Sequence, residues 1–586
     1  MSSQSRPPAP LHVLPSILQK HIHAYIAIPA DHPAKISSRT YGLALLLSLG
    51  PALLPFTAKV VVLAKAGKDV DRMSVAKVVT RLGMLLRREL GPFGFAFAIT
   101  TAVAGGLSLQ NTFENLEKSA ELPLQGGDTN FDATGGPSSM FKNVKSRLRR
   151  YWTSLSDVQQ TFLSNALASA VAIVLLQWKT APRRALGVPK LPLTLPIDDI
   201  PKHKNISPTL NLTLILFVRA LDCVVHGGLQ DKLLQKLKGK GREVTPRSTE
   251  VEEATSRDSV YVKNWINQWT STLDSLVFCV CSARIIWCFF YKPKALPKTY
   301  VKWISRLAEI DPRIIWALQS IRDGSLSYNR RYASSPDLAE FATDLGYPAL
   351  WGDLSVVPAY GTDATSTWRK LGVEGRDGIG GIPCELVHGG NGAGNSCRKN
   401  VSIRGRKAWL TAILTYLPAY LLPVIIKRPR DLITPQRLIP ILLGVMRSAT
   451  FLSAFVQLMW FGVCSTRTFL FARLFPWVSH DYFDGPYGCI FVASLICGSS
   501  IWIENPKRRG EMALYVLPRA IRTVLSDSWL RSGRKRVRFV ERIAFVTSLS
   551  TLLTSAIHKP ESLRGLSRWA VNYFLRGPSS LTKKRL

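Results

Sequence analysis

The chain is poor in acid: its 586 residues hold 39 Asp and Glu against 76 Lys and Arg, a formal net charge of +37. A surplus of that size has two common sources, a nucleic-acid partner or basic loops flanking membrane spans. Charge as a whole is also scarce, 20% of residues against 46% hydrophobic, which excludes a disordered or collagen-like chain. The nine cysteines are few for the length and several fall inside apolar runs, so an oxidised disulfide framework is excluded as well. Enzyme signatures are missing: there is no GxxxxGK[ST] phosphate loop, no HExxH and no GxSxG elbow. The GIGG at 378–381 has neither a strand pattern before it nor a helix pattern after it, and reads as linker. No motif calls for a cofactor, and a non-enzymatic protein is expected. A compact signal-peptide core is not visible near the start, and the closing Lys584-Arg585-Leu586 departs from a Ser-Lys-Leu peroxisomal address.

Apolar residues gather instead into runs of bilayer length, about 20 residues for a core of about 30 Å. Eight spans are expected, at 41–64, 91–109, 159–178, 272–291, 408–426, 446–464, 487–503 and 540–557. Two further stretches, 207–226 and 511–530, carry charge at helical spacing and read as amphipathic interfacial helices. The prolines of 51–55 and 418–423 are expected to kink or shorten their helices. Small residues four apart, Ala168 with Ala172, Ala493 with Cys497 and Ser494 with Gly498, mark faces where helices approach closely. Loop charge alternates: 65–90 has seven basic and three acidic residues, whereas 110–158 has six of each. The positive-inside rule turns the basic loops to the cytosol or matrix, with both termini opposite. The basic run 531–538, next to a span, reads as a contact for anionic lipid head groups rather than nucleic acid.

The two halves resemble each other in order. Pro51-Ala52-Leu53-Leu54-Pro55 answers Pro418-Ala419-Tyr420-Leu421-Leu422-Pro423, and Arg88 with Ala96-Phe97 answers Arg447 with Ala454-Phe455. Ala168-Ser169 before Pro182-Arg183-Arg184 answers Ala493-Ser494 before Pro506-Lys507-Arg508-Arg509. Arg219-Ala220-Leu221 answers Arg519-Ala520-Ile521, and Lys292-Pro293 answers Lys559-Pro560. An even number of spans per copy makes the repeats parallel. The expected fold is therefore an all-α polytopic membrane protein, two parallel four-span repeats with interfacial helices. Its parts are a tail at 1–40, a first repeat at 41–322, a flexible Gly/Ser/Pro-rich linker at 323–383 and a second repeat at 384–586.

Candidate chemistry clusters where the second repeat opens, at Cys384, His388 and Cys397 with a glycine-rich turn between them. Thiolate and imidazole suit zinc or another soft metal, but three ligands are one short of a closed site. Glu385 or a distant His would complete it. The alternatives are a Cys/His loop at the membrane surface and a Cys384–Cys397 disulfide. Cys279, Cys281 and Cys288 read as packing residues within a span. Arg284 is the one charge well inside a span, and reads either as functional or as snorkelling to the interface.

From Cys384 to about residue 475 the sequence resembles the transmembrane protein 135 family. That family's Cys-rich region carries a Cys, a nearby His and a Ser-Cys pair before a Leu-Pro-x-Tyr-Leu-Leu-Pro span. Here these are Cys384, His388, Ser396-Cys397 and Leu417-Pro418-Ala419-Tyr420-Leu421-Leu422-Pro423, followed by Arg447-Ser448 and Phe451-Leu452-Ser453. The resemblance implies a peroxisomal or mitochondrial multi-span protein concerned with lipid homeostasis or mitochondrial dynamics, and a distant likeness to inner-mitochondrial-membrane translocases. Its partners would be membrane lipids, other organelle membrane proteins or a second copy of the chain, with the endoplasmic reticulum as the other compartment. Two rival readings stand beside it: a pore between the repeats, and a metal or redox enzyme using Cys384, His388 and Cys397.

Overall fold

A computed structural model of the chain describes residues 29, 32–65, 80, 83–121, 150–178, 207, 209–240, 249–329, 335–427, 434–526 and 535–577. Most of the N-terminal tail with His21 and His23, most of the loop at 119–140, the proline-rich insertion 183–206 and the terminal Lys584-Arg585-Leu586 lie outside them. Among the described residues the fold is helical, with no strand.

Six helices among the described residues are long and apolar enough to cross a membrane: Gly83–Asn115, Asp157–Gln177, Leu210–Leu229, Gln268–Tyr291, Pro435–Leu474 and Lys535–His558. Five of them coincide with expected spans. The sixth, Leu210–Leu229, corrects the interfacial reading of 207–226. It meets the length and hydropathy of a span, and its carboxylate Asp222 is paired with Arg564. The expected span 487–503 is a shorter apolar helix, Cys489–Ile503. The expected span 408–426 lies in the long helix Cys397–Lys427, whose first turns carry Arg398, Lys399, Arg404, Arg406 and Lys407; part of that span, like part of 41–64 in Pro33–Lys65, lies outside the residues whose side chains are described. Prolines do not shorten their helices: Pro33–Lys65 runs unbroken through Pro51 and Pro55, and Cys397–Lys427 through Pro418 and Pro423. A proline removes a single ladder hydrogen bond, which membrane helices tolerate.

The chain forms two compact units, neither of which is one sequence half. Unit 1 comprises 1–235 and 533–586. It holds α1 (Pro33–Lys65), α2 (Phe95–Glu121), α3 (Asp157–Gln177), most of α4 (Leu210–Lys240) and, from the far end of the chain, its last two helices. α3 starts on a capping box in which Ser156 and Gln159 satisfy each other's backbone. Ala96, Ala98, Ala102, Ala172, Ile173 and Phe545 share its core. Gly105 lies against Ala168, and a Cβ on Gly106 would stand 2.1 Å from Asn165 Oδ1. Small residues are what let α2 and α3 approach.

Unit 2 comprises 236–532. Its long helices are α5 (Thr249–Tyr291), followed by α6 (Lys298–Ala308) and α7 (Pro312–Arg322). After these come α8 (Pro336–Asp344), α9 (Ala364–Leu371), the single turn α10 (Cys384–His388), α11 (Cys397–Lys427), α12 (Pro435–Cys464), α13 (Cys489–Cys497) and α14 (Pro506–Val524). α11 and α12 run antiparallel, tied by Ser453 donating to the Gly405 carbonyl (2.8 Å) and Tyr420 hydrogen-bonded to Ser448 (2.9 Å). A Cβ on Gly462 would fall 2.6 Å from Ala493 Cα, and one on Gly498 2.8 Å from Cys279 Cα. Ala493, Ser494, Cys497 and Gly498 thus sit on close helix contacts, all buried.

The stretch at 323–383 differs most from its expectation as a flexible linker. From Ser335 onward it folds into α8, α9 and tight turns around Trp351, Leu354, Trp368 and Ile379. Trp368 donates its indole N–H to the Ile379 carbonyl (2.6 Å), and Trp351 donates to Leu371 (2.9 Å). The glycines that suggest a linker instead make its turns, with Gly378 and Gly381 at φ +71°.

Candidate metal centre

Three elements converge at one end of the α11–α12 pair. Pro383 opens α10, which sets Cys384 and His388 one turn apart, and Gly389 at φ +65° ends it in the left-handed region. Cys397 is the first residue of α11 and Cys464 the last of α12. The ligand atoms of Cys384, His388 and Cys397 all lie within 4.8 Å of one another. Cys464 adjoins them: its Sγ is 3.9 Å from His388 Nε2 and packs with the other two sulfurs in one buried cluster. Glu385, the nearby carboxylate, stays out of the group.

His388 is oriented for this role. Its Nδ1 lies 2.7 Å from the Gly394 carbonyl, which can only accept, so Nδ1 carries the proton and Nε2 offers a lone pair to the thiols. This is how metal-bound imidazoles are usually held. Arg404 fixes the same turn by donating to the His388 carbonyl (2.8 Å) while stacking 4.0 Å from the Trp460 ring centroid. Contact with Cys397 and burial push the Cys384 thiol up to about 12. At Cys397 contact with Cys384 pulls downward, but Cys464 and burial outweigh it and lift the thiol to about 12. Burial lowers the His388 imidazole, keeping it neutral. All nine cysteines are free thiols.

Arg376 borders the sulfurs. It is 3% exposed, donates to Cys384 Sγ (3.2 Å) and to the carbonyls of Gly380 and Gly381, and leaves Nε without a partner. Among the described residues no carboxylate pairs with it. A second buried polar group lies beyond: Arg467, on a π-helical turn at Ser465–Phe469, makes two bonds to Asp484 (2.5 and 2.8 Å). Tyr328 also donates to Asp484 (2.7 Å). Burial alone would raise the Asp484 carboxyl, yet Arg467 and these hydrogen bonds hold it below the ordinary carboxylate value. His480, beside Asp484, has no hydrogen bond at either ring nitrogen, and burial pushes it down to about 3.

The other site residues are placed apart from this centre. Arg284 is engaged by neighbours within unit 2. Its Nε and Nη2 reach the hydroxyl and carbonyl of Thr523 (3.2 Å each), closing the last turn of α14, and its guanidinium lies 5.0 Å from the Trp287 ring. Cys281 and Cys288 are buried packing residues. Ala168 and Ala172 are buried in unit 1.

Sequence reasoning missed Cys464 because it closes an apolar span. The signal was in the arithmetic of the hairpin. Helices of 31 and 30 residues joined by a short connection run antiparallel, so the first residue of one meets the last of the other. No protein-family model, curated relative or solved structure matches the chain.

Proposed function

We propose that the chain is an integral, multi-pass, non-enzymatic protein of a peroxisomal or mitochondrial membrane, acting in lipid homeostasis or organelle dynamics. The observation that carries the reading is the set of six membrane-length helices whose outward faces are apolar, with Val171, Val280, Leu443 and Val540 exposed along them. The organelle and the lipid role rest on the likeness of 384–475 to the transmembrane protein 135 family. The buried polar groups of unit 2 bond mainly to one another, which supports a structural use for them. Anionic head groups would meet the basic segments flanking the helices.

A duplication also fits the local geometry. α5 ends in the short helix Pro293–Ala295 after Lys292 at φ −137°, ψ 57°, followed by the amphipathic α6. α15 (Lys535–His558) ends in Pro560–Ser562 after Lys559 at φ −138°, ψ 63°, followed by α16 (Gly565–Arg576). Each such ending belongs to the unit built mainly from the other half. Tyr300 of α6 lies under Arg519 of α14, and Ser562 hydrogen-bonds Cys223 of α4 (3.0 Å). This supports two parallel repeats that have exchanged their closing helices.

An epitope placed within the Gly-rich stretch 126–136, imaged against organelle markers, tests the compartment. Peroxisomal or mitochondrial signal, together with altered fatty-acid and acyl-CoA levels in cells lacking the chain, is the expected result. Endoplasmic-reticulum signal alone, or unchanged lipids, overturns it. Reconstituted vesicles that leak a defined solute only when the chain is present would favour the pore instead.

A further inference from the structure

We propose that Cys384, His388, Cys397 and Cys464 bind one zinc ion as a closed Cys3His centre that staples the α10 turn to the facing ends of α11 and α12. The donor set is that of structural zinc: four nitrogen and sulfur ligands with no place left for water or substrate. Tetrahedral bonds of about 2.3 Å to sulfur and about 2.0–2.1 Å to nitrogen set ligand atoms about 3.6–3.8 Å apart. The trio already lies within 4.8 Å and Cys464 Sγ stands 3.9 Å from His388 Nε2; Cys464 lies outside the group whose ligand atoms are all within 4.8 Å of one another, so closing the site draws the end of α12 in toward the other two sulfurs.

Two independent observations point the same way. The proton on His388 Nδ1 is engaged by the Gly394 carbonyl, so the nitrogen facing the sulfurs is the unprotonated one. Arg376 is a buried cation without a carboxylate partner, bonded to Cys384 Sγ. Three thiolates, one imidazole and Zn2+ carry a net charge of −1, which the guanidinium would neutralise. Binding releases the three thiol protons to solvent and involves no change of oxidation state. Arg467 is already matched by Asp484, so it does not compete for that role.

The test uses the full chain, purified in detergent under reducing conditions without chelators, with metal measured by mass spectrometry. About one zinc per chain is expected. Cys464→Ser should lose it to a competing chelator at least tenfold faster, while Cys281→Ala, a buried cysteine elsewhere in unit 2, should retain it. Cys464→His keeps four donors and should restore binding, which separates lost ligation from lost folding. With Co2+ in place of zinc, the sulfur-to-metal charge-transfer intensity should match three thiolates and fall to two in Cys464→Ser. Arg376→Met should weaken retention about 10–100-fold as an outer-shell change. No zinc in the wild-type chain and none taken up from Zn2+, equal retention by Cys464→Ser, copper or iron in its place, or a Cys384–Cys397 disulfide in unreduced membranes would each overturn the proposal.

Discussion

The two units use similar helices for different ends. Among the described residues unit 1 has four membrane-length helices, and its charges are each met by one or two partners: Glu89 by Arg88 and Ser48, Glu541 by Ser207 and Thr209, the half-buried Asp222 by Arg564. Unit 2 has two such helices and a folded segment, 335–396, that brings Arg376, Cys384 and His388 into its interior beside Cys397. There the polar groups form a connected set running from Cys384 through Arg376 to the glycine turn, with Arg467, Asp484, Tyr328 and His480 packed beside it. The difference shows where a helical framework acquires specific chemistry: beside the folded segment 335–396, not in the long apolar helices.

That contrast can be broken most strongly at Asp484. Asp484→Asn strands the buried Arg467 and should cost unit 2 about 3–5 kcal/mol, measured by unfolding in mixed micelles. The matching Asp222→Asn in unit 1 should cost about 1 kcal/mol, because Arg564 is partly exposed. Equal losses would erase the distinction.

Acid should act on unit 2 through His480. Its folded-state value, about 3, lies below the ordinary 6.5, so the unfolded chain takes up a proton that the folded one refuses. Its contribution is complete above pH 6.5 and declines as pH falls toward about 3, by up to about 5 kcal/mol at 1.36 kcal/mol per unit. His480→Phe preserves the ring contacts with Tyr328 and Phe483 and should flatten that acid limb. An unchanged limb would place the sensitivity elsewhere.

Apolar packing, by contrast, should be alike in both units. Gly462→Val and Gly106→Val each drive a side chain into a neighbour and should each cost about 1–3 kcal/mol. An effect as small as that of Asp222→Asn, about 1 kcal/mol, is expected at Arg284→Met, since it removes hydrogen bonds at a helix end. A change in the proposed lipid phenotype without loss of stability in Arg284→Met would instead give this arginine a functional role.

Periodicity and hydropathy made much of this architecture legible, because membrane-length apolar runs have few alternative folds. The helical class, five of the six spans and the trio Cys384, His388 and Cys397 could all be read from the chain. What composition hid was tertiary. Gly375, Gly378 and Gly381 look like linker glycines until Trp351 and Trp368, rare in linkers, are seen to need a core. Leu210–Leu229 looked interfacial because Arg564, which pairs with Asp222, lies 342 residues away. Cys464 looked like one more apolar residue because its role depends on the hairpin, not on its neighbours in sequence.

The central claim is that unit 2 encloses a Cys3His metal centre. X-ray absorption at the zinc edge on the purified full chain tests it most directly. The account predicts three sulfur scatterers at about 2.3 Å and one nitrogen at about 2.0–2.1 Å. A shell of light atoms alone, two sulfurs with two nitrogens, or no zinc to observe would contradict it.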